Sequence, residues 1–369
     1  MCADELGLRA QTFSTPTSVF VSVESDEGLS TYLARVVPGE VDISKMMEID
    51  RLFNRVIENE LSATDGIAEI KRIVKLPGLY PAWMIVMSFG IVSGCVGNFL
   101  GGGIKEMFAS GIVGLSVGIL VLFAGKNREF SRLIEFLSGL VAALISGALA
   151  APLGGYMPAV AAIAGLIILL PGLTFTIAMV ELATKHVVSG TARLAGAMMV
   201  MLVIGFGFII GQRGAELMVG PTEVVVAGPM AWYVDVLSIL ISTVCMAVLF
   251  QARMRHAWVM VVAGFLSFYS ARYGAMYLGP EAGGLGAALV VGCASNLYAR
   301  VFDRPAMTMM LPGLLMLVPG ALGLRSLQLF MSNDTVDGVQ SVFTVLVVGV
   351  ALVVGLLLSN VIMPPRKVL

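Results

Sequence analysis

The chain has 369 residues, of which 58% are hydrophobic and only 13% are charged, and its formal net charge is −1. A soluble globular domain carries about 25% charged residues, so this composition excludes an ordinary soluble protein and indicates a polytopic membrane protein. The balanced charge also excludes the strong positive field that nucleic-acid binding requires, and we expect no nucleic-acid partner.

Charge divides the chain into two parts near residue 80. Residues 1–80 carry 13 acidic and 8 basic side chains, whereas residues 81–369 carry 11 acidic and 15 basic ones. We therefore predict a soluble module at 1–80 in front of an apolar membrane domain. The first 20 residues lack an apolar core, so we expect no cleaved signal peptide. The four cysteines and two histidines have neither disulfide nor metal-ligand spacing, and we expect no metal site and no cofactor.

The soluble module is predicted to contain both strands and helices. Residues 19–23 and 32–37 are rich in β-branched and aromatic residues and are typical of two short strands. A helix of about 18 residues is predicted to start near Asp42 or Ser44, because its apolar residues share one face. A second helix is predicted to start at Ser62, which has a capping arrangement. The module shows no nucleophile–base pattern, so we expect no enzymatic activity.

Ten apolar runs follow, each near the length of about 20 residues that a membrane-spanning helix needs. The predicted spans are 82–104, 107–124, 133–151, 157–183, 192–211, 232–250, 256–271, 282–299, 306–330 and 339–362.

The distribution of positive charge predicts the orientation of these spans. With the N-terminal module in the cytoplasm, only Lys105, Arg213 and Arg272 fall in loops on the opposite side. Positive charge concentrates in short cytoplasmic loops, so we expect both termini in the cytoplasm. The basic residues of the cytoplasmic loops and tail are Lys126, Arg128, Arg132, Lys185, Arg193, Arg253, Arg255, Arg300, Arg304, Arg366 and Lys367.

The fourth and ninth spans are each interrupted by a Pro-Gly pair. The segments 167–173 and 315–321 match almost class for class, and place Pro171-Gly172 and Pro319-Gly320 at corresponding positions. A proline inside a helix removes a backbone hydrogen bond. A matched pair of broken helices indicates the binding site of a transporter. The alternative is that Pro and Gly are simply frequent in transmembrane helices.

The matched breaks predict an internal repeat. Spans 1–5 at residues 81–213 and spans 6–10 at residues 214–369 are candidate copies. Because five is an odd number, the second copy enters the membrane upside down, which gives a 5+5 inverted-topology repeat. The predicted fold is thus mainly α-helical, with ten transmembrane helices and a small N-terminal α+β module. Glycines at four-residue spacing in the first two spans favour tight packing within the chain, with a homo-oligomer as the alternative.

Four segments together resemble the threonine/serine exporter family: 40–61 before the first span, 170–174, 188–193, and 318–320 followed by Arg325. Members of that family are ten-span carriers of the cytoplasmic (inner) membrane with a cytoplasmic N-terminal domain. They export threonine and serine using the proton-motive force, and related two-component members are linked to succinate export. Family members usually carry a further helix before the segment that matches 2–11 here.

Ionisable residues at membrane depth are candidates for function because their burial is unfavourable. Glu181, near one end of the fourth span, is a candidate proton-coupling carboxylate. The alternative is an interfacial pair with Lys185 at four-residue spacing. Asp235, near the outer end of the sixth span, is a second proton-coupling candidate, with an interfacial position as the alternative.

Substrate recognition is expected at the two breaks. A half-helix that begins after Pro171-Gly172 exposes N–H groups that suit a carboxylate, and one that ends there exposes carbonyls that suit an ammonium. Arg325 either holds a substrate carboxylate or extends to the surface. Asn296 either contacts substrate or joins two helices. The predicted substrate-binding residues are Pro171, Gly172, Thr174, Thr176, Pro319, Gly320, Arg325 and Asn296.

The sequence therefore predicts a secondary active transporter that exports threonine and serine, with protons, the substrate and the lipid bilayer as its partners. One alternative is an exporter of a dicarboxylate such as succinate. Another is a channel or membrane subunit without coupled transport.

Overall fold

The computed structural model describes residues 9–25, 28–36, 41–58, 60–220, 225–228, 230–317 and 335–365. Within these residues the protein is mostly helical and carries one small antiparallel sheet at its N-terminal side. The mainly α-helical prediction and the presence of strands in the N-terminal module are thus confirmed.

The sheet has three strands in the order β1-β2-β3, where two were predicted. The strands are β1 (Arg9–Thr15), β2 (Ser18–Ser25) and β3 (Gly28–Arg35). The first was missed because its sequence is mostly polar and lacks the alternation that marks a strand. It is placed by antiparallel pairing with β2, with Phe13 opposite Phe20 and their ring centroids 6.0 Å apart.

Two helices complete the module, and their starts agree with the prediction. These are α1 (Ile43–Ile57) and α2 (Ala63–Val74). The side chain of Asp42 accepts a hydrogen bond from the Lys45 N–H at 2.9 Å, and that of Ser62 accepts one from the Asp65 N–H at 3.1 Å. Such side-chain caps satisfy N–H groups that the first helical turn leaves open.

Twelve α-helices follow in the described part of the chain. They are α3 (Ala82–Phe99), α4 (Ile104–Ala124), α5 (Arg128–Ser131), α6 (Ile134–Ala150), α7 (Pro158–Leu166), α8 (Gly172–Ala183), α9 (Val187–Val219), α10 (Trp232–Leu249), α11 (Ala257–Leu278), α12 (Pro280–Phe302), α13 (Met307–Met316) and α14 (Thr335–Ile362). Seven of the described helices, α3, α4, α9, α10, α11, α12 and α14, are long and apolar enough to cross a membrane. Helices α6, α8 and α13 are apolar but shorter. The protein is therefore a multi-pass membrane protein, whereas the count of ten spans stays a prediction.

Two of these helices extend well beyond the predicted spans. Helix α9 exceeds the span predicted at 192–211, and α11 exceeds the one predicted at 256–271. Arg213 and Arg272, expected in loops, therefore lie inside helices. Hydropathy identifies only the residues that lie within the lipid core, whereas a helix can continue beyond the lipid core as long as its backbone hydrogen bonds are formed.

The glycines of the first two spans pack α3 against α4, as preferred from the sequence. A Cβ atom added at Gly94 would lie 3.1 Å from the Met107 carbonyl oxygen, and one at Gly114 would lie 2.7 Å from that of Phe89. Helices α6 and α9 approach each other even more closely. A Cβ atom at Gly207 would lie 2.1 Å from the carbonyl oxygen of Phe136. Small residues allow this close approach between helices.

The helix pairs that the predicted repeat would match pack together in both halves of the membrane domain, the predicted copies at residues 81–213 and 214–369. In the first half α3 contacts α4, α7 contacts α4 and α6, and α6 contacts α9. In the second half α10 contacts α11, α13 contacts α11 and α12, and α12 contacts α14. The halves meet where α3 packs on α10 and where α8 packs on α14.

The break predicted in the fourth span is present. Helix α7 ends at Leu166, and α8 begins at Gly172 with Pro171 as its N-cap residue. In the ninth span α13 ends at Met316, three residues before Pro319. Pro319 and Gly320 themselves lie outside the described residues.

Candidate functional site

A cavity of about 1550 Å³ lies between the two halves of the membrane domain. Its lining comes mainly from α3, α4, α7, α9, α10 and α11, from residues 167–169 after α7 and from residues 315–317 at the end of α13. Most of the wall is apolar, with a few polar side chains, which is the usual character of a small-molecule site. The volume exceeds the roughly 300–1,000 Å³ of common ligand sites, so it accommodates a small solute together with water.

The break after α7 and the end of α13 both contribute to this cavity. Residues 167–169, between α7 and α8, line it together with residues 315–317 at the end of α13. These two tripeptides occupy matched positions in the aligned segments 167–173 and 315–321. The structure therefore brings matched segments of the fourth and ninth predicted spans to one cavity.

One end of the cavity, the module end, is lined by the turn that joins α10 to α11. Phe250 and Gln251 of that turn line the cavity. The Ile43 N–H donates to the Phe250 carbonyl at 2.9 Å, and the Leu79 N–H donates to Gln251 Oε1 at 2.7 Å. Gln251 has a φ of +53°, an unfavourable backbone conformation for a residue with a Cβ atom. Helix α1 and the segment before α3 thus hold a strained turn in place.

Arginines concentrate at the module end. Arg253 donates to Glu48 of α1 at 2.5 Å. Burial, followed by the neighbouring guanidinium groups of Arg304, Arg255 and Arg253, lowers the pKa of Arg51. The turns after α10 and after α12 therefore lie beside α1.

The other end of the cavity, the distal end, carries a polar cluster from three helices. Asp235 in the first turn of α10 accepts a hydrogen bond at Oδ1 from Asn98 Nδ2 of α3 at 2.8 Å. Its Oδ2 accepts a hydrogen bond from Arg272 of α11. The Arg272 guanidinium also lies over the ring of Phe268, 5.7 Å from its centroid. All four residues line the cavity.

The predicted residues around Pro171 lie next to the cavity and outside its lining. The Gly172 N–H donates to the Leu170 carbonyl at 2.8 Å. The Thr176 hydroxyl is buried and donates to the Gly172 carbonyl at 2.9 Å. Thr174 is half-buried in the first turn of α8.

Glu181 pairs with an arginine of the next helix. Its Oε1 accepts a hydrogen bond from Arg193 Nε of α9 at 3.0 Å. The sequence alternative was an ion pair with Lys185. Its Oε2 is buried and has no hydrogen-bond partner among the described residues.

Asn296 lies away from the cavity, at the contact between α12 and α14. Its Nδ2 donates to Asn360 Oδ1 at 3.0 Å and to the Met363 carbonyl at 2.8 Å. Arg325, like Pro319 and Gly320, lies outside the described residues. Of the predicted site residues with described positions, Asp235 is the one that lines the cavity.

Arg272 and Asn98 are the polar residues of the distal cluster that the sequence analysis did not assign to the site. Arg272 was counted as a loop residue, because it follows an apolar run directly. The sequence signal that could have placed Arg272 in a helix is its position one turn after Phe268, in a segment of helix-forming residues that continues to Leu278. In the described part of the chain, no group of three or more His, Cys, Asp or Glu side chains is placed to hold a metal ion.

Comparison with known proteins gives matches along nearly the entire chain. The family model described as a putative threonine/serine exporter matches residues 1–213, and a second model, described as a threonine/serine exporter, matches residues 235–362. No solved structure matches the chain significantly.

Several fungal membrane proteins are similar to this chain. An uncharacterized protein of Schizosaccharomyces pombe is 26% identical over 85% of this chain and 39% of its own length. Pheromone-regulated membrane protein 10 of Candida albicans is 24% identical over 84% of this chain and 29% of its own length. The protein of the same name from Saccharomyces cerevisiae is 25% identical over 85% of this chain and 82% of its own length. The chain thus spans well under half of the first two relatives.

Proposed function

The chain belongs to the threonine/serine exporter family, and from this membership we propose that it is a secondary active transporter that exports threonine and serine from the cytoplasm in exchange for protons. It acts in the cytoplasmic membrane, with its N- and C-termini on the cytoplasmic side.

One observation carries this proposal: matched tripeptides of the fourth and ninth predicted spans line a single cavity. Broken helices are a recurrent way to present free backbone groups to a substrate inside a membrane. Backbone N–H and carbonyl groups near such breaks can add hydrogen bonds to the polar groups of an amino acid. A channel needs no such pair of discontinuous helices.

The packing of the membrane domain supports an inverted repeat. The first-half contacts of α3 with α4, of α7 with α4 and α6, and of α6 with α9 have counterparts in the second half. In an inverted repeat, rocking of one half against the other exposes a central site to the two sides in turn.

Two contacts support the orientation of the termini. The turn after α10 touches α1 through Arg253 and Glu48, and the end of α12 is tied to the C-terminal tail through Arg300 and the Pro364 carbonyl. These basic loops therefore share the side of the N-terminal module, in keeping with the preference of positive charge for the cytoplasm.

Glu181 and Asp235 are the carboxylates that we assign to proton coupling. Glu181 has one ion-paired oxygen and one buried oxygen without a partner among the described residues. Asp235 lines the cavity directly. A carboxylate at membrane depth that alternates between a proton and another partner is a common element of proton-coupled carriers.

Counterflow in proteoliposomes tests the proposal. Vesicles loaded with unlabelled threonine or serine should take up the labelled amino acid transiently, and an acidic lumen should drive its net accumulation. Labelled succinate serves as the matched test of a dicarboxylate carrier. Uptake without stimulation by internal substrate indicates a channel, and counterflow of succinate alone indicates a dicarboxylate exporter; either result overturns the proposal.

A further inference from the structure

The ion pair between Asp235 and Arg272 is built into the cavity wall and is unequally exposed. The Asp235 side chain is 12% exposed, whereas that of Arg272 is 56% exposed. Asp235 is also held by Asn98, and Arg272 lies over Phe268. An ion pair whose only role is to join α10 to α11 would not require a position in the wall of a large cavity or an exposed guanidinium group.

The chemistry of this pair suits one class of ligand. The guanidinium has five N–H donors in a planar fork, and a carboxylate binds such a fork through two parallel hydrogen bonds. A carboxylate and an amide oxygen next to it suit an ammonium group. An α-amino acid carries one group of each kind on neighbouring atoms.

We propose that Asp235, Arg272 and Asn98 form the zwitterion-recognition site of the cavity, in which Arg272 binds the α-carboxylate of the substrate and Asp235 with Asn98 binds its α-ammonium. The substrate replaces the internal ion pair by two ion pairs, and the site is electrically neutral before and after binding. This inference rests on the proposed transport of amino acids.

The same arrangement disfavours a dicarboxylate. If one carboxylate of succinate binds Arg272, its second carboxylate competes with Asp235 for positive charge and meets like-charge repulsion. The site thus favours an amino acid over succinate in two ways: it pairs with both charges of the amino acid, and Asp235 repels the second carboxylate of succinate.

The test compares threonine with two analogues that each lack one charge. In 1-amino-2-propanol the carboxylate is absent, and in 3-hydroxybutyrate the ammonium is absent. Affinities for the purified full-length chain are measured by ligand-induced thermal stabilisation, which requires no transport. For the unmodified protein, threonine should bind at least about tenfold more tightly than either analogue, because each lost charge-assisted hydrogen bond is worth a factor of this order.

Two variants should remove these preferences separately. Asp235→Asn should abolish the preference for threonine over 3-hydroxybutyrate and keep that over 1-amino-2-propanol, and Arg272→Gln should do the reverse. Arg272→Lys keeps the charge of the pair and loses the planar fork. R272K should therefore bind threonine more weakly than the unmodified protein does, even though it is stably folded. Lys105→Gln, at the same end of the bundle but outside the cavity lining, serves as the control and should keep both preferences.

The outcomes separate this inference from the proposed function. If the unmodified protein binds threonine and the variants keep both preferences, or weaken all three ligands equally, the ion pair only ties helices and the inference is wrong. If the unmodified protein neither binds nor exchanges threonine, the proposed function itself fails.

Discussion

At the scale of single residues, the two oxygens of Glu181 have different environments. Oε1 bonds Arg193 of α9, while Oε2 is buried and unpartnered within the described residues. The ion pair joins α8, which follows the break, to α9. In the proposed function Glu181 is one of the two proton-coupling carboxylates, and this contact connects it to the half-helix α8.

We predict that Glu181→Gln uncouples transport from the proton gradient. Threonine counterflow should persist, whereas accumulation driven by an acidic lumen should fall clearly below that of the unmodified protein, because one of the two carboxylates assigned to proton coupling is lost. Arg193→Gln is the matched control, since it removes the same ion pair and keeps the carboxylate. If both variants accumulate threonine as the unmodified protein does, Glu181 only anchors α8.

At the scale of elements, the contact between α6 and α9 depends on glycine. A Cβ atom at Gly139 would lie 2.1 Å from the Ile204 carbonyl oxygen, and one at Gly207 the same distance from that of Phe136. Contacts this short with a neighbouring backbone cannot be relieved by rotating a side chain. The two helices would have to separate, and the packing of the first half would loosen.

We predict that Gly207→Ala destabilises the protein by about 1–3 kcal/mol, the usual effect of overpacking. Gly196 is in the same helix, and a Cβ atom there meets no described atom within 4 Å. Gly196→Ala should therefore be neutral or stabilising by up to about 1 kcal/mol, because alanine favours the helix. Thermal unfolding in detergent measures both. Equal melting temperatures for the two variants would show that the close approach does not limit stability.

Most helices were predictable from the sequence, because each depends on local information. Apolar runs identify membrane helices, Asp42 and Ser62 cap the helices that they precede, and Pro171 marks the break. The distal cluster was not predictable in the same way. Asp235 accepts bonds from Asn98 and Arg272, which are 137 and 37 residues away in sequence. Those contacts depend on how α3, α10 and α11 pack, and no local pattern encodes that packing.

The break between α7 and α8 also has a testable role as an element. We predict that Pro171→Ala combined with Gly172→Ala yields a folded, inserted protein with little threonine counterflow. A continuous helix satisfies its own backbone groups and withdraws those that the break offers to a substrate. Pro280→Ala is the control, because Pro280 is at the first position of α12, where proline does not interrupt the helix. Normal counterflow by the double variant would show that the break is not needed for transport.

At the scale of the whole molecule, charge and packing predict the same sidedness. We predict that reporter fusions after Lys126 and after Gly220 lie on opposite sides of the membrane, because three predicted spans separate them. A fusion after Arg255, in the turn that contacts α1, should report the side of Lys126. Activity of alkaline phosphatase and fluorescent-protein fusions measures this. The same side for Lys126 and Gly220 would refute the ten-span topology.

The last prediction concerns the joint contribution of the two halves to one site. Ile168 and Met316 come from different halves and occupy matched places in the two broken spans, and both line the cavity. If a single substrate molecule binds there, its occupancy shields both positions at once. Single cysteines introduced at these positions, in a chain without its native cysteines, should be protected by threonine from a thiol reagent.

The concentration of threonine that halves the labelling rate should be the same for Ile168→Cys and Met316→Cys, since one binding event protects both. A cysteine in place of Leu202 provides the control. Leu202 is 52% exposed on α9 and lies outside the cavity lining, so threonine should not change its labelling. If threonine protects only one of the two cysteines, or protects them at clearly different threonine concentrations, the two halves do not share a site. Alternating access by movement of one half against the other requires the shared site, because each half must then contact the substrate from its own side.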